Sequence, residues 1–160
     1  MSTTAAGLSA TTVTTDQQAP LGFELIVPTA DAGEQVWIYV QANGNLTAGM
    51  VCSRGAGTAA LTYDVIPAPT TTGVNGVVGV CVTPIADNSF GFIMKKGICA
   101  VVAGTGTIDV NEVIVVDSTD AGTAMRYTNG AATSVESGFG WASANAAATA
   151  TAQCYINCVG

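Results

Sequence analysis

The residues of this chain that could do chemistry are few, and the first candidates are one serine and two lysines. Ser89 lies shortly before Lys95 and Lys96, and a serine activated by a lysine amine can act as a nucleophile. The chain has no histidine, which excludes a Ser-His-Asp triad and an imidazole base. Because serines in turns and exposed lysines are far commoner than Ser-Lys pairs, we predict that the protein is not an enzyme.

Two pairs of carboxylates and one glycine-rich element are the candidates for binding an ion. Asp109 with Glu112 and Asp117 with Asp120 could hold Ca²⁺, but neither pair matches a recognised calcium loop, and ordinary turn carboxylates are the better interpretation. Gly104-Thr105-Gly106 is followed by strand-like sequence rather than by the helix that a phosphate-binding loop needs. The sequence therefore predicts no catalytic residue, no cofactor and no metal.

Five cysteines, Cys52, Cys81, Cys99, Cys154 and Cys158, are spaced irregularly along the chain. Their odd number, together with the absence of a CxxC pair and of histidine, indicates neither a disulfide framework nor a zinc site. Small buried thiols are the simplest interpretation. Cys154 and Cys158 share a face of a predicted terminal strand, so whether these two pair in an oxidising medium stays open.

The charge of the chain limits its partners. The chain has four Lys and Arg and eleven Asp and Glu, which gives a net charge of −7. A nucleic-acid partner requires a basic surface. Only 9% of the residues are charged, far below the roughly 25% of typical soluble domains, so the exposed faces suit packing against neighbours. No stretch is long enough to span a membrane, and the start lacks a signal-peptide pattern. We expect no nucleic acid, no membrane and synthesis in a cytoplasm.

The elements that must position these residues are predicted to be β-strands. Gly, Pro and Asn interrupt the apolar runs at short intervals, and no long amphipathic segment of period 3.6 occurs. The strongest pattern is a hairpin across residues 76–97, in which two apolar strands flank a turn at Asp87–Ser89. The Ala-rich run 145–152 has helix propensity, but its alternation with Thr favours a strand. The predicted strands are Phe23–Val27, Val36–Gln41, Leu46–Ser53, Ala60–Ile66, Val77–Val82, Phe90–Lys95, Ile98–Ala103, Glu112–Asp117, Thr123–Thr128, Gly138–Ala144 and Thr149–Asn157.

These strands predict an all-β fold, a single-domain β-barrel or sandwich built of short antiparallel strands. Residues 20–160 are predicted to form this β domain. Residues 1–19 are mostly Thr, Ala and Ser and cannot bury enough surface to fold alone, which predicts a flexible or extended N-terminal arm. The arm is either a disordered tail or a segment that adds to the edge of a neighbouring sheet.

An internal repeat divides the predicted domain. Leu46–Val51 aligns with Ile108–Val113 at an offset of 62 residues, and at nearly the same offset Gly79-Val80 falls near Gly140-Trp141 and Phe92-Ile93 near Cys154-Tyr155. A repeat of this kind predicts two pseudo-repeated β halves.

Four segments resemble one known family. They are Pro20-Leu21-Gly22, the strand and turn 36–44, Val78-Gly79-Val80 and, above all, Ala86-Asp87-Asn88-Ser89-Phe90-Gly91-Phe92-Ile93-Met94-Lys95-Lys96-Gly97. From about Pro20 onward the chain is similar to the decoration, or cement, proteins of tailed-bacteriophage capsids. The resemblance implies a non-enzymatic β-rich protein, commonly a trimer, made in the host cytoplasm. Such a protein lies on the outer surface of the virion and clamps neighbouring major capsid subunits.

Two other classes of protein remain alternatives. One is a receptor- or glycan-binding β module of a phage fibre or adhesin, for which Trp37, Tyr39, Tyr63, Tyr127 and Trp141 could form a sugar-stacking platform. In a β domain such aromatic residues are more often core or interface groups. The other alternative is a small hydrolase that uses Ser89.

Overall fold

The computed structural model describes residues 4–5, 7–30, 33–55, 63–70, 76–128 and 138–159. These ranges contain twelve β-strands and no helix, which confirms the all-β prediction. Two short strands pair with each other near the N-terminus, and the other ten form one hydrogen-bonded sheet. The strands are β1 (Thr4–Ala5), β2 (Leu8–Ser9), β3 (Glu24–Thr29), β4 (Gly33–Ala42), β5 (Val51–Arg54), β6 (Asp64–Pro67), β7 (Val77–Val80), β8 (Phe90–Val102), β9 (Val113–Val116), β10 (Ala124–Arg126), β11 (Gly140–Ala142) and β12 (Thr151–Asn157).

The pairings of the large sheet close into two barrels that share strand β8. In the first, which we call barrel one, β4 pairs with β8, β8 with β7, β7 with β5 and β5 with β6, and β6 returns to β4 in parallel. One cluster of buried side chains draws on all five strands, with members such as Ile38, Cys52, Val65, Val78 and Ile93. This cluster fills the interior of barrel one, as in other small barrels.

Barrel two repeats the circuit with the second part of β8. β8 pairs with β12, β12 with β11, β11 with β9 and β9 with β10, and a parallel bridge between Ala103 and Ala124 closes the ring. Ile108, Ile114 and Cys154 are buried in its core. The chain is therefore built from two barrels of the same strand order.

The turns of the two barrels confirm the internal repeat. In barrel one Leu46 and Ile85 exchange two backbone hydrogen bonds of 2.8 and 2.9 Å, and in barrel two Ile108 and Ala146 exchange two of 3.0 and 2.8 Å. Three residues after each of these positions the chain turns with a positive φ and then enters a strand. The four turn residues are Gly49, Asn88, Asn111 and Thr149, with φ of 81°, 59°, 69° and 62°.

Most predicted strands form close to their expected limits, and the differences have local causes. The predicted strand from Leu46 is replaced by a bridge and a turn, and β5 begins only at Val51. Pro67 is the last residue of β6, opposite Cys52, a terminal position at which a proline is tolerated. Residues 60–62 of the predicted strand Ala60–Ile66 lie outside the described ranges. The Ala-rich run forms no helix, but only residues 151–152 of it lie in a strand, β12, and the rest is an isolated bridge at Ala146 and a turn.

The described part of the N-terminal segment lies against barrel one. Ala10 is buried in the larger core cluster. Thr14 exchanges two backbone hydrogen bonds with Phe90, of 3.0 and 2.8 Å, and the Gln18 N–H donates to the Tyr39 hydroxyl at 3.0 Å. The segment thus adds to a strand of its own chain, and its action as an arm toward a neighbour stays a prediction.

Candidate interaction surface

Ser89 and the two lysines do not form a reactive pair. Ser89 is buried just before β8, whereas Lys95 and Lys96 lie further along the same strand. At about 3.3 Å per residue, the strand places Lys95 about 20 Å from the serine. Lys95 Nζ contacts Glu24 Oε1 at 2.7 Å, and Lys96 Nζ contacts Glu34 Oε1 at 3.3 Å. The lysines therefore form ion pairs between β8 and the first residues of β3 and β4.

The predicted acidic pairs anchor turns. Glu112 Oε2 accepts a hydrogen bond from the Asp109 N–H at 2.8 Å. Asp117 is buried, and its Oδ1 accepts from the N–H and the hydroxyl of Thr119 at 2.7 and 2.6 Å and from the Asp120 N–H at 3.4 Å. In the parts of the chain that the structure describes, no group of three or more Asp, Glu, Cys or His side chains is placed to hold a metal ion.

The glycine-rich element packs against one of these carboxylates. A Cβ atom added at Gly104 would overlap the Asp117 carboxylate and would lie 2.8 Å from Thr123 Oγ1. The Gly104 N–H donates to the Ala124 carbonyl at 2.9 Å. The glycine is therefore explained by close packing where barrel two closes.

All five cysteines are buried and free. Loss of hydration on burial raises the pKa of Cys81 and Cys154 to about 11 and that of Cys158 to about 12. The same cause raises the pKa of Cys52 and Cys99 well above the ordinary range. Because the thiolate is the form that attacks and that binds metals, these side chains act as small apolar core groups.

The five aromatic residues considered for a sugar-stacking platform are divided between the core and the surface. Trp37 and Tyr39 are buried. Tyr63 lies under the Arg54 guanidinium, whose Cζ is 4.1 Å from the ring centroid. Tyr127 and Trp141 are each 47% exposed. The five residues do not form one platform, but the last two belong to another arrangement.

Tyr127 and Trp141 lie in a row of apolar side chains that crosses barrel two. Val113 lies opposite Trp141, Trp141 opposite Tyr155, and Tyr155 opposite Ile98 in successive strand pairs. The Tyr127 N–H donates to the Val113 carbonyl at 2.8 Å. We call these five residues the exposed row. Of the seven large apolar residues that are exposed in the described ranges, four lie in this row, so it is the main candidate for a binding surface.

Trp141 and Tyr155 stack on each other within the exposed row. Their ring centroids are 4.4 Å apart and their planes differ by 23°, which is a favourable stacked geometry. Each ring therefore has one face covered by the other, and Val113 and Ile98 flank the pair on the neighbouring strands. The stacking leaves less ring surface for a sugar, and an apolar row of this kind matches the aromatic-rich core of a protein interface.

Sequence reasoning named Tyr127 and Trp141 but missed Val113, Tyr155 and Ile98. Only the pairing of four different strands brings the five side chains together. The repeat was the available signal. It aligned Gly79-Val80 with Gly140-Trp141, which indicates that Trp141 occupies the strand position that Val80 occupies in the first half.

No helix long and apolar enough to cross a membrane is present in the described ranges. No protein-family model matches this chain, and no curated protein matches it. Among solved structures it is similar to the N base of the head fibre gp8.5 of bacteriophage phi29. That match has 17% sequence identity and a TM-score of 0.53, and it covers 77% of this chain and 94% of that chain. At this identity the likeness shows a shared fold.

Proposed function

We propose that this protein is a structural protein of a tailed-phage head, a decoration or cement protein on the outer surface of the capsid. In this role it clamps neighbouring major capsid subunits and stabilises the head. The observation that carries the proposal is the fold likeness to the N base of a phage head fibre. Like the sequence resemblance to capsid decoration proteins, this likeness supports a protein of the phage head.

The surface chemistry supports a protein partner. Three of the four basic side chains, Lys95, Lys96 and Arg126, are paired with carboxylates of the same chain, and the net charge is −7. An acidic surface repels packaged DNA and leaves the protein shell as the favoured partner. The exposed row supplies an apolar contact that requires no compensating charge.

A second candidate within the same class is the base of a head fibre. The fold likeness to the phi29 protein favours it, because that protein is the N base of such a fibre. A decoration protein clamps several capsid subunits, whereas a fibre base holds a projecting appendage. The two roles therefore differ in whether an appendage projects outward from the bound domain.

We further propose that the protein acts as a homo-oligomer, with a trimer favoured, and that residues before Leu8 reach the shell. The described contacts of Ala10, Thr14 and Gln18 with the domain begin after this point. Removing residues 2–7 therefore tests the arm while keeping those contacts. We expect weaker attachment to heads with an unchanged melting temperature, and unchanged occupancy would remove the arm from the mechanism.

Cryo-electron microscopy of particles made with and without this protein tests the proposal. We expect difference density on the outer surface at the junctions of capsid subunits, and heads lacking the protein should break at a lower temperature. Density that continues outward as a stalk would favour the fibre base. Absence of the chain from purified particles, or density inside the shell, would contradict a role on the head surface.

A further inference from the structure

The exposed row of barrel two has a buried counterpart in barrel one. In barrel one Val51 lies opposite Val80, Val80 opposite Met94 and Met94 opposite Trp37, and the Ala68 N–H donates to the Val51 carbonyl at 2.9 Å. These are the pairings of the exposed row, position by position. We call the five residues the buried row. Their exposure is 0–5%, whereas four members of the exposed row are 39–48% exposed.

Barrel two of the same chain covers the buried row. The Val51 N–H donates to the Gly122 carbonyl, and the Gly122 N–H donates to the Ala68 carbonyl, both at 2.8 Å. Close by, the Val102 N–H donates to the Gly49 carbonyl at 2.9 Å. The buried row also belongs to one core cluster with side chains of barrel two. The structure thus shows what fits such a row, namely the flank of another barrel of this fold.

We infer that the exposed row binds a second copy of this chain, so that the contact between barrel one and barrel two is repeated between subunits. The inference rests on the proposed function, of which homo-oligomer formation is a part, and it names the face that forms the contact. Both rows have the same strand pairing and lie on the same side of equivalent barrels. Only the first row has a barrel beside it within the chain.

Two other occupants fit less well. Residues 129–137, which lie outside the described ranges, bring one large apolar side chain, Val135, and so offer little to cover two aromatic rings. A glycan fits less well, because Trp141 and Tyr155 stack on each other at a centroid distance of 4.4 Å and so each already has one ring face covered. A copy of this chain is acidic, but the five side chains of the row carry no charge, so the row itself adds no repulsion between copies.

The size of the row suits the core of an interface. Its five side chains present on the order of 400 Å² of surface, within the range in which the largest apolar patch of a protein is often functional. A standard interface buries about 800 Å² on each partner. The exposed row would supply about half of that area and would contain its aromatic anchors.

The contact would be heterologous, because one barrel presents the row and a different flank covers it. Repetition of a heterologous contact gives a closed ring when the rotation closes, and an open filament when it does not. A trimer of this kind would place six barrels around one axis. This arrangement agrees with the oligomer proposed above and adds the surface through which it forms.

Sedimentation velocity of the full chain, over a range of concentrations, tests the inference. The variants are Trp141→Ser in the exposed row and Ile26→Ser as a matched control. Ile26 is 57% exposed and lies on β3, away from the row. Circular dichroism and thermal melting of each variant show whether it is folded, and Val113→Ser is a second row variant if Trp141→Ser fails to fold. Binding to heads that lack the protein is measured separately.

We expect the wild-type chain and Ile26→Ser to form the same small oligomer. Trp141→Ser should raise the dissociation constant at least about 30-fold, as for a central aromatic residue of an interface. A wild-type chain that stays monomeric, or row variants that assemble like the wild type, would overturn the inference. If the variants keep their oligomeric state but lose head binding, the row contacts the shell, which also overturns the inference and leaves the proposed function standing. If the oligomer depends on Trp141 but neither the wild-type chain nor Ile26→Ser binds heads, the proposed function fails and the inference survives.

Discussion

Replacing Gly79 by alanine should destabilise the protein, because this glycine lies against the backbone of β8. A methyl group at Gly79 would sit 2.6 Å from the Met94 carbonyl oxygen and 3.1 Å from two carbons of the Ile93 side chain. Ordinary van der Waals contact requires β7 and β8 to move apart by about 1 Å. Rotation of a side chain cannot relieve the overlap, since the oxygen belongs to the main chain.

The magnitude follows from two terms. Overpacking of a well-packed core costs about 1–3 kcal/mol, and weakening one interstrand hydrogen bond adds about 1 kcal/mol. The free energy of unfolding should therefore fall by about 2–4 kcal/mol, which lowers the melting temperature of a chain of this size by about 5–15 °C.

Urea and thermal unfolding, followed by circular dichroism, measure this effect. Gly106→Ala is the matched control, because no atom lies within 4 Å of the added methyl group, and it should stay within about 0.5 kcal/mol of the wild type. Gly140 occupies the equivalent position of barrel two, where an added Cβ would overlap the Tyr155 carbonyl. Gly140→Ala should therefore behave like Gly79→Ala, and wild-type stability of both variants would refute the described strand packing.

Three further predictions concern single positions and pH. Ser53→Ala should raise the free energy of unfolding by about 1 kcal/mol, because the buried Ser53 Oγ has no hydrogen-bond partner among the described residues. A loss of stability in urea would contradict this. Thr149→Asn should stabilise the protein by about 0.5–1 kcal/mol, because a β-branched residue holds a φ of 62°; the melting temperature checks it, with Thr151→Asn in β12 as the control. Stability should fall as pH rises above 9. Burial raises the pKa of Cys81 and Cys154 from 9.0 to about 11, so between these values the unfolded chain loses thiol protons that the folded chain keeps. Urea midpoints between pH 7 and 10.5 test this, and a Cys81→Ala variant should show a smaller fall.

The elements that sequence analysis found are those with local signals. Val36–Gln41 has apolar side chains on both faces, which predicts a strand covered on both sides, and β4 is buried from Val36 to Val40. The repeat was visible because Leu46 and Ile108 precede the same kind of turn. The offset, however, falls to 61 from Val80 and Trp141 onward. Val80 lies opposite Met94 and Trp141 opposite Tyr155, which makes Met94, rather than Ile93, the equivalent of Tyr155.

The features that sequence analysis missed depend on distant contacts. The sequence predicts a break at Gly97 between two strands, but β8 continues through it with a φ of 134°, because other strands pair with both parts of β8. The sequence also gives no sign that Val80 is buried and Trp141 half exposed. The two residues occupy equivalent positions, and their difference arises only from the presence of a second barrel beside the first.

The sharing of β8 makes the two barrels mechanically inseparable. One continuous main chain, Phe90–Val102, supplies a wall to each barrel, so a cut near Gly97 would leave both with open interiors. A load applied to barrel two passes to barrel one along covalent bonds, whereas two domains joined by a linker would transmit it through a weak interface. Amide exchange in both barrels should accordingly be limited by the same global opening. A protein that clamps neighbouring capsid subunits, the role proposed above, would gain from this construction, because the two barrels cannot separate without unfolding the strand that they share.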